Sequence, residues 1–309
     1  MILCLGTTPA VQRTMTFASL HVDGVNRATS VTQTASGKSI NVTRVAHTLG
    51  EEVIATGFVG GDAAAFIRRD LDADGIRHDF VDVEPTTRTC ITVIDESAGT
   101  ATELIEESKT VEPGAWQRLS DRLDAHLRTA DVLVLSGTLP PGAPQDFYGH
   151  CVRRASLHGV RTIVDATGEP LRHALAAKPF IAKPNRAELG KTLDVDTSTD
   201  VALRDAMRKL VASGPQWVVV TMGSEGAMVS DGKGFWRITI PTVEVVNPIG
   251  SGDSFAAGLA VGIVRGLAIP DAAALAAACG VANAMTQVAG HVRMEDVERL
   301  QRAITVVAV

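Results

Sequence analysis

Apolar runs of strand length recur along this chain, and most are followed by a stretch whose apolar residues repeat with the period of a helix. Residues 2–6, 53–59, 132–135, 161–164, 180–182 and 217–221 are continuous and rich in Val and Ile. Runs without polar alternation belong in strands covered on both faces. Between them, Val42, Val45, Ala46 and Leu49 follow an i, i+3, i+4, i+7 spacing, and Trp116, Leu119, Leu123 and Leu127 mark a second helical stripe. Gly50, Gly75, Gly159 and Gly214 stand just past such stretches, where a helix ends on a left-handed residue. Repeated β-then-α units predict an α/β fold, a mostly parallel central sheet with helices on both faces and right-handed crossovers.

Two segments, about 12–33 and 86–106, break this rhythm and lean toward a period of two. Thr89, Ile91 and Val93 share one strand face, and Asp95-Glu96-Ser97-Ala98-Gly99 supplies turn chemistry after it. They predict hairpins inserted between α/β units, forming a small β-sheet that projects from the body. A lid over the strand ends is one reading and a plain edge extension is the other. With no repeat or low-complexity linker, residues 1–309 are expected to form one domain carrying this insertion.

Composition narrows the function classes. With 45% hydrophobic and 21% charged residues the chain is not disordered. Its 29 Lys plus Arg against 35 Asp plus Glu, net −6, and 4% aromatics argue against a nucleic-acid partner. The apolar runs 255–264 and 272–282 are shorter than the roughly 18 residues a membrane span needs, so no membrane partner is expected. The first residues lack a basic signal region, and a cytoplasmic location is expected. Cys4, Cys90, Cys151 and Cys279 are dispersed without metal spacing, which predicts buried reduced thiols and no zinc.

The stretch Asn247-Pro248-Ile249-Gly250-Ser251-Gly252-Asp253-Ser254 leads into a helical run. Pro248 forces an extended approach, and Gly250 and Gly252 let the backbone curl tightly. The amides of Gly250, Ser251 and Gly252 are then free at a helix N-terminus, which attracts anions. An N-capped helix after a glycine turn accounts for Asp253 alone, but not for two glycines in front of it. A carboxylate beside an anion hole is suited to taking a proton from an alcohol while the amides stabilise a transferring phosphoryl group. A second stretch, Gly37-Lys38-Ser39, suggests a P-loop, with Asp165 at the end of a Walker-type strand. Position 32, where that motif needs Gly, is Thr.

Taken in order, several pieces resemble the phosphofructokinase-B branch of the ribokinase-like carbohydrate kinases, most of all its tagatose-6-phosphate kinase and 1-phosphofructokinase subgroup. They are Gly37 and Asn41-Val42-Thr43-Arg44 with Gly50 and Gly60, Thr87-Arg88-Thr89-Cys90, Ser136-Gly137-Thr138-Leu139-Pro140, Lys183-Pro184-Asn185 with Glu188, Met222-Gly223-Ser224-Glu225-Gly226, the Gly-Ser-Gly-Asp element and Gly290-His291-Val292. The resemblance implies a ribokinase-like fold and a kinase that passes the γ-phosphate of ATP to a hexose phosphate with Mg²⁺. It makes Asp253 the catalytic base and Gly250, Ser251 and Gly252 the anion hole. It places Gln12, Gly37, Lys38, Asn41, Arg88 and Ser136 at the sugar, and Lys183, Asn185, Thr221, Gly223, Gly226 and Asn283 at the nucleotide. Asn185 and Glu188 would hold a hydrated Mg²⁺ jointly, and a homodimer through the lid is implied. Each assignment has a plainer counterpart: an N-cap for Asn185, a tight hairpin turn for Gly223 and Gly226, an internal hydrogen bond for Asn283 and a solvated sheet residue for Arg88.

Three positions depart from the subgroup's pattern. Gln12 stands where an Asp is usual, and Ser36 and Ser39 replace glycines in the sugar-site loop. A changed sugar preference is the first expectation. The rivals are a sugar- or nucleotide-binding regulator with weakened catalysis and a P-loop NTPase.

Overall fold

A computed structural model describes residues 1–309. The chain opens on β1 (Ile2–Gly6), leaves the body for β2 (Ala10–Phe17) and β3 (Ser30–Ser36), then returns through α1 (Lys38–Thr48) and β4 (Val53–Val59). After α2 (Gly61–Ala73) come β5 (Arg77–His78), β6 (Val81–Asp82) and a second excursion through β7 (Arg88–Asp95) and β8 (Thr100–Ile105). Alternation resumes with α3 (Pro113–Leu127), β9 (Val132–Ser136), α4 (Phe147–Leu157), β10 (Arg161–Asp165), α5 (Gly168–Ala176) and β11 (Ile181–Ala182). Then follow α6 (Arg186–Leu193), α7 (Asp200–Ala212), β12 (Trp217–Thr221), β13 (Ala227–Ser230) and β14 (Phe235–Thr239). The last elements are α8 (Ser251–Val264), α9 (Ile269–Ala284), α10 (Met294–Ala303) and β15 (Thr305–Ala308).

The main sheet runs β15-β14-β13-β12-β11-β10-β9-β1-β4-β5, with β6 also paired to β4. From β12 to β5 every pairing is parallel, as the continuous apolar runs predict. The antiparallel extension β13-β14-β15 was not legible, because Ser230, Arg237 and Thr239 interrupt its short apolar stretches. Along β1 the side chains alternate between two cores. Ile2 and Cys4 enter one with α1, α2 and α8 to α10, and Leu3 and Leu5 enter the other with α3, α4, α5 and α7.

Helices α8 and α9 pack backbone against backbone. A Cβ on Gly258 would stand 2.7 Å from Ala276 Cα, and one on Gly262 would stand 2.5 Å from Ala272 Cβ. This contact explains the apolar runs 255–264 and 272–282, which are core helices. No helix is long and apolar enough to cross a membrane. The four cysteines are free and buried.

The two aperiodic segments form one four-stranded sheet, ordered β3-β2-β7-β8, with the hairpins joined by the parallel β2-β7 pairing. Its strands begin at Ala10 and run to Ser36, slightly beyond the expected 12–33 boundary. Gln12, Thr14, Thr16, Cys90, Thr92 and Ile94 are buried on one face, and Met15, Val31, Ile91, Val93 and Leu104 are half-buried or exposed on the other. A charged clamp ties the end of β3 to the body. Asp70 accepts the Ala35 N–H at 2.8 Å, Arg44 donates to the Ala35 carbonyl at 2.9 Å, and Arg44 and Asp70 pair at 2.8 Å.

Candidate active site

The carboxyl ends of β1, β9, β10 and β12 converge with the N-termini of α1 and α8, the crevice where open α/β sheets bind ligands. Helix α8 starts at Gly250 with φ 83°, and a Cβ there would stand 2.9 Å from both Ala289 Cβ and Gly290 N. Only glycine meets both demands. The Ser251 N–H donates to the Pro248 carbonyl at 3.2 Å and that of Asp253 to the Gly250 carbonyl at 3.1 Å. The amides of Gly250 and Gly252 find no acceptor within the protein, so two of the three expected amides are free. On Gly252 a Cβ would have only Lys183 Nζ, at 3.9 Å, for a neighbour.

Asn283 does not face a nucleotide. It is fully buried and braces this loop. Its Nδ2 donates to the Ile249 carbonyl at 2.8 Å and to Ser251 Oγ at 3.3 Å, while its Oδ1 accepts from Ser254 Oγ at 3.1 Å and the Gly290 N–H at 2.8 Å. The internal hydrogen bond wins because all of the amide's capacity is used. Asn247, unassigned from the sequence, donates to the Gln287 carbonyl at 2.9 Å and accepts the Ile249 N–H at 3.0 Å.

Asp253 is 7% exposed and caps nothing. Its Oδ2 accepts from Asn41 Nδ2 on α1 at 2.8 Å. Burial pushes its carboxyl up to about 6; Lys38, Asn41 and Lys183 pull it down, and Asp165 pushes it further up. Asp165, read from the sequence only as a Walker-type carboxylate, is the main residue missed. It is 2% exposed at the end of β10 and meets Lys38 Nζ and Lys183 Nζ at 3.2 Å each. Burial opposes its charge, yet the two ammoniums hold it below the ordinary carboxylate range. Asp165 in turn is the main influence raising the Lys38 ammonium above its usual value. Lys183, expected at the nucleotide, is 3% exposed beneath Gly252.

Gly37, expected at the sugar, caps α1 with φ 106°, and a Cβ there would stand 2.8 Å from Pro9 Cα. Ser136 is buried at the end of β9, its Oγ without a partner. Arg88 donates to the carbonyls of Thr8 at 3.1 Å and Glu106 at 3.2 Å, and its buried Nε has no partner. It lines a small cleft with Thr8, Thr87, Ser108 and Lys109, the last a cation the sequence did not single out. Gln12, expected at the sugar, is tied to the small sheet by its Nε2, which donates to Thr92 Oγ1 on β7 at 2.8 Å. Ser39 also departs from expectation. Its hydroxyl packs inward against β1, where a Cβ on Gly6 would stand 2.4 Å from Ser39 Oγ, so glycine at position 6 makes room for it. The P-loop reading fails: Gly37-Lys38-Ser39 follows a strand of the small sheet, and Lys38 is committed to Asp165.

Thr221, Gly223 and Gly226, expected at the nucleotide, line a cavity of about 360 Å³ together with Ser251, Gly252 and the apolar Val243, Phe255 and Val281. The tight-turn reading of Gly223 and Gly226 holds, since a 3₁₀ turn, Gly223–Glu225, joins antiparallel β12 and β13. Asn185 and Glu188 form a capping box: each side chain bonds the other's backbone N–H at 2.8 Å. No three His, Cys, Asp or Glu side chains cluster at metal distance. This donor set fits only a hydrated cation carried on phosphates, touched through the remaining Glu188 oxygen.

Sheet order and crevice define a ribokinase-like protein. The ribokinase of Arabidopsis thaliana complexed with ribose and ATP has the same fold at a TM-score of 0.78, with 20% identity over 97% of this chain and 98% of that one. A protein described as a possible 1-phosphofructokinase from Thermotoga maritima reaches 0.92 at 26% identity, covering 100% of this chain and 99% of the other. The profile of the pfkB family carbohydrate kinases matches residues 1–292. The tagatose-6-phosphate kinase of Staphylococcus epidermidis is 35% identical over 312 aligned positions, spanning all of both chains. The chain belongs to the pfkB family of carbohydrate kinases and is a phosphotransferase with an alcohol acceptor.

Because Asn283 holds the Ile249–Ser251 turn from behind, Asn283→Ala is expected to cost about 1–3 kcal/mol of stability, read from the urea midpoint, with a parallel fall in turnover. An unchanged midpoint would count against the bracing role.

Proposed function

We propose that the protein transfers the γ-phosphate of ATP to a hydroxyl of a hexose phosphate, of the tagatose-6-phosphate or fructose-1-phosphate type. The observation that carries this reading is Asp253, buried and unused by its own helix, standing just behind two free amides. The names of the relatives support the substrate class. The apolar cavity beside Gly252 suits a purine, and the cleft lined by Arg88 and Lys109 suits a sugar phosphate. All three departures from the subgroup's pattern have an internal packing or hydrogen-bond partner, which supports an active kinase over a non-catalytic regulator.

In the reaction Asp253 accepts the proton of the sugar hydroxyl as its oxygen attacks the γ-phosphorus. The bond from that phosphorus to the β–γ bridging oxygen breaks, and its electron pair leaves with ADP. The Gly250 and Gly252 amides face the charge that develops on the phosphoryl oxygens, and Lys38 and Lys183 add positive charge close by. Mg²⁺, arriving on the nucleotide phosphates, would be held through water by Glu188 with Asn185 beside it, and would offset phosphate charge.

A base poised near neutrality is efficient because it is ionised at working pH yet still basic. Activity is therefore expected to fall as pH drops through about 6. Asp253→Asn should lose at least ~10²-fold in kcat. The folded state raises this carboxyl above its unfolded value of roughly 3.9, so its stabilising contribution is complete below that pH and lost as pH rises through about 6. Above that pH, Asp253→Asn should melt no lower than the wild type. Turnover by this variant near the wild-type rate would remove the base assignment.

Removing Arg88 should raise KM for the sugar phosphate by about tenfold or more while KM for ATP stays within about twofold. A screen of ADP release over fructose 1-phosphate, fructose 6-phosphate, tagatose 6-phosphate and free sugars, with Asp253→Asn as blank, tests the substrate class. If only free sugars turn over, the phosphate assignment falls.

The small sheet would act as a lid over this site, and its outer face would pair with a second copy. That face carries Met15, Ile91 and Val93 beside Val31, 47% exposed, and Leu104, 54% exposed. Sedimentation should show a dimer that Leu104→Glu converts to monomer, whereas a monomeric wild type would exclude this interface.

A further inference from the structure

Ser36, one of the positions where the subgroup carries glycine, lies behind the base and not against the substrate cleft. Its Oγ donates to Asn41 Oδ1 at 3.0 Å, and Asn41 Nδ2 donates to Asp253 Oδ2 at 2.8 Å. Ser36 and Asn41 are each 4% exposed, so neither hydrogen bond has water as a ready substitute. The three residues come from three elements: the end of β3, the first turn of α1 and the first turn of α8.

We infer that Ser36 is a positioning residue for Asp253, acting through Asn41. This rests on the reading of Asp253 as the base. A carboxylate only accepts hydrogen bonds, so it needs the NH₂ side of the Asn41 amide. The opposite side of that amide is a buried carbonyl oxygen, and the Ser36 hydroxyl supplies its donor. Both ends of the amide are then satisfied in the one orientation that serves an ionised Asp253. Donors in series also polarise one another, which strengthens the final N–H···O⁻ bond.

The surroundings hold this orientation. Gly290 closes one side of Asn41, where a Cβ would stand 2.8 Å from both Asn41 Cα and Cβ and 2.9 Å from its Oδ1. Ala35, next to Ser36, has both backbone groups clamped by Asp70 and Arg44. Ser36 is also paired in register with Ala10 of β2, so the small sheet is tied to the base by this relay. With glycine at position 36, Asn41 Oδ1 would lose the hydroxyl that bonds it. Its amide would be freer to turn, and the carboxylate would be less well held.

The other charges facing Asp253 are Lys38 of α1, Asp165 of β10 and Lys183 after β11. None of them bonds to Ser36, so its removal leaves them in place. Loss of the relay should therefore read as a change in the base's titration more than in substrate affinity.

The test is the pH profile of kcat, with KM for ATP and for the accepted sugar phosphate, in Ser36→Ala and Ser36→Gly. The acidic limb is expected to move up by about half to one pH unit, so that kcat at the wild-type inflection falls about two- to fivefold and recovers at alkaline pH. KM for ATP should stay within about twofold, since no nucleotide-side residue is touched. Ser36→Ala introduced into Asn41→Ala should add no further shift, because both act through one relay. An unmoved limb in both single variants, or an equal shift in the Asn41→Ala background, overturns the proposal. Asp253→Asn, measured in parallel, separates the two readings. Should it remain active, the base assignment is what fails; should it be inactive while the Ser36 variants keep the wild-type limb, only the relay fails.

Discussion

Asp165 and Asp253 are carboxylates taken almost wholly out of water within reach of one another, and the site exists because two lysines meet them there. A lone buried carboxylate would give up its charge. Asp165 keeps it because Lys38 and Lys183 stand at 3.2 Å on either side. Asp253 has no such direct pair. It keeps one amide donor and feels the same ammoniums at longer range, so its affinity for a proton rises to the range a base needs. The two acids are pushed apart by their partners, one fixed as a counter-ion and the other left in the state that the proposed base role requires. Breaking a buried pair of this kind commonly costs about 3–5 kcal/mol, so the arrangement is structural as well as chemical.

The helices that carry these charges are held with little slack. Close contact of α8 with α9 fixes where α8 begins, and Asn283 on α9 then grips the Ile249 carbonyl, Ser251 and Ser254 at that beginning. The free amides of Gly250 and Gly252 are thus aimed by packing some distance below them. Preorganised donors of this sort need not rearrange as charge develops, which is where most of their value in catalysis lies.

Much of this was legible in the residues. The parallel strands could be read because they are covered on both faces and carry uninterrupted Val and Ile, and the two hairpins because their period changes. The Gly-Ser-Gly-Asp turn was legible because only glycine tolerates φ 83° at position 250 with Ala289 so close. The antiparallel edge escaped because Arg237 and Thr239 make β14 read as loop. The partners of Asn283, Gln12 and Ser39 escaped for a common reason: each side chain meets a group on α8, β7 or β1 that is distant in sequence.

What the sequence determined by itself is therefore local and repetitive: the α/β alternation, the small inserted sheet, the glycine turn and the acid that follows it. These depend on side-chain period and backbone freedom, which neighbouring residues fix. Only the tertiary structure decided which polar groups meet. Lys38 and Asp165 are 127 positions apart and Asn41 and Asp253 are 212 apart, and no local preference encodes either contact. They arise because parallel strands all end on one side of the sheet and two helices begin over that edge, so groups scattered along the chain are buried together and must satisfy one another.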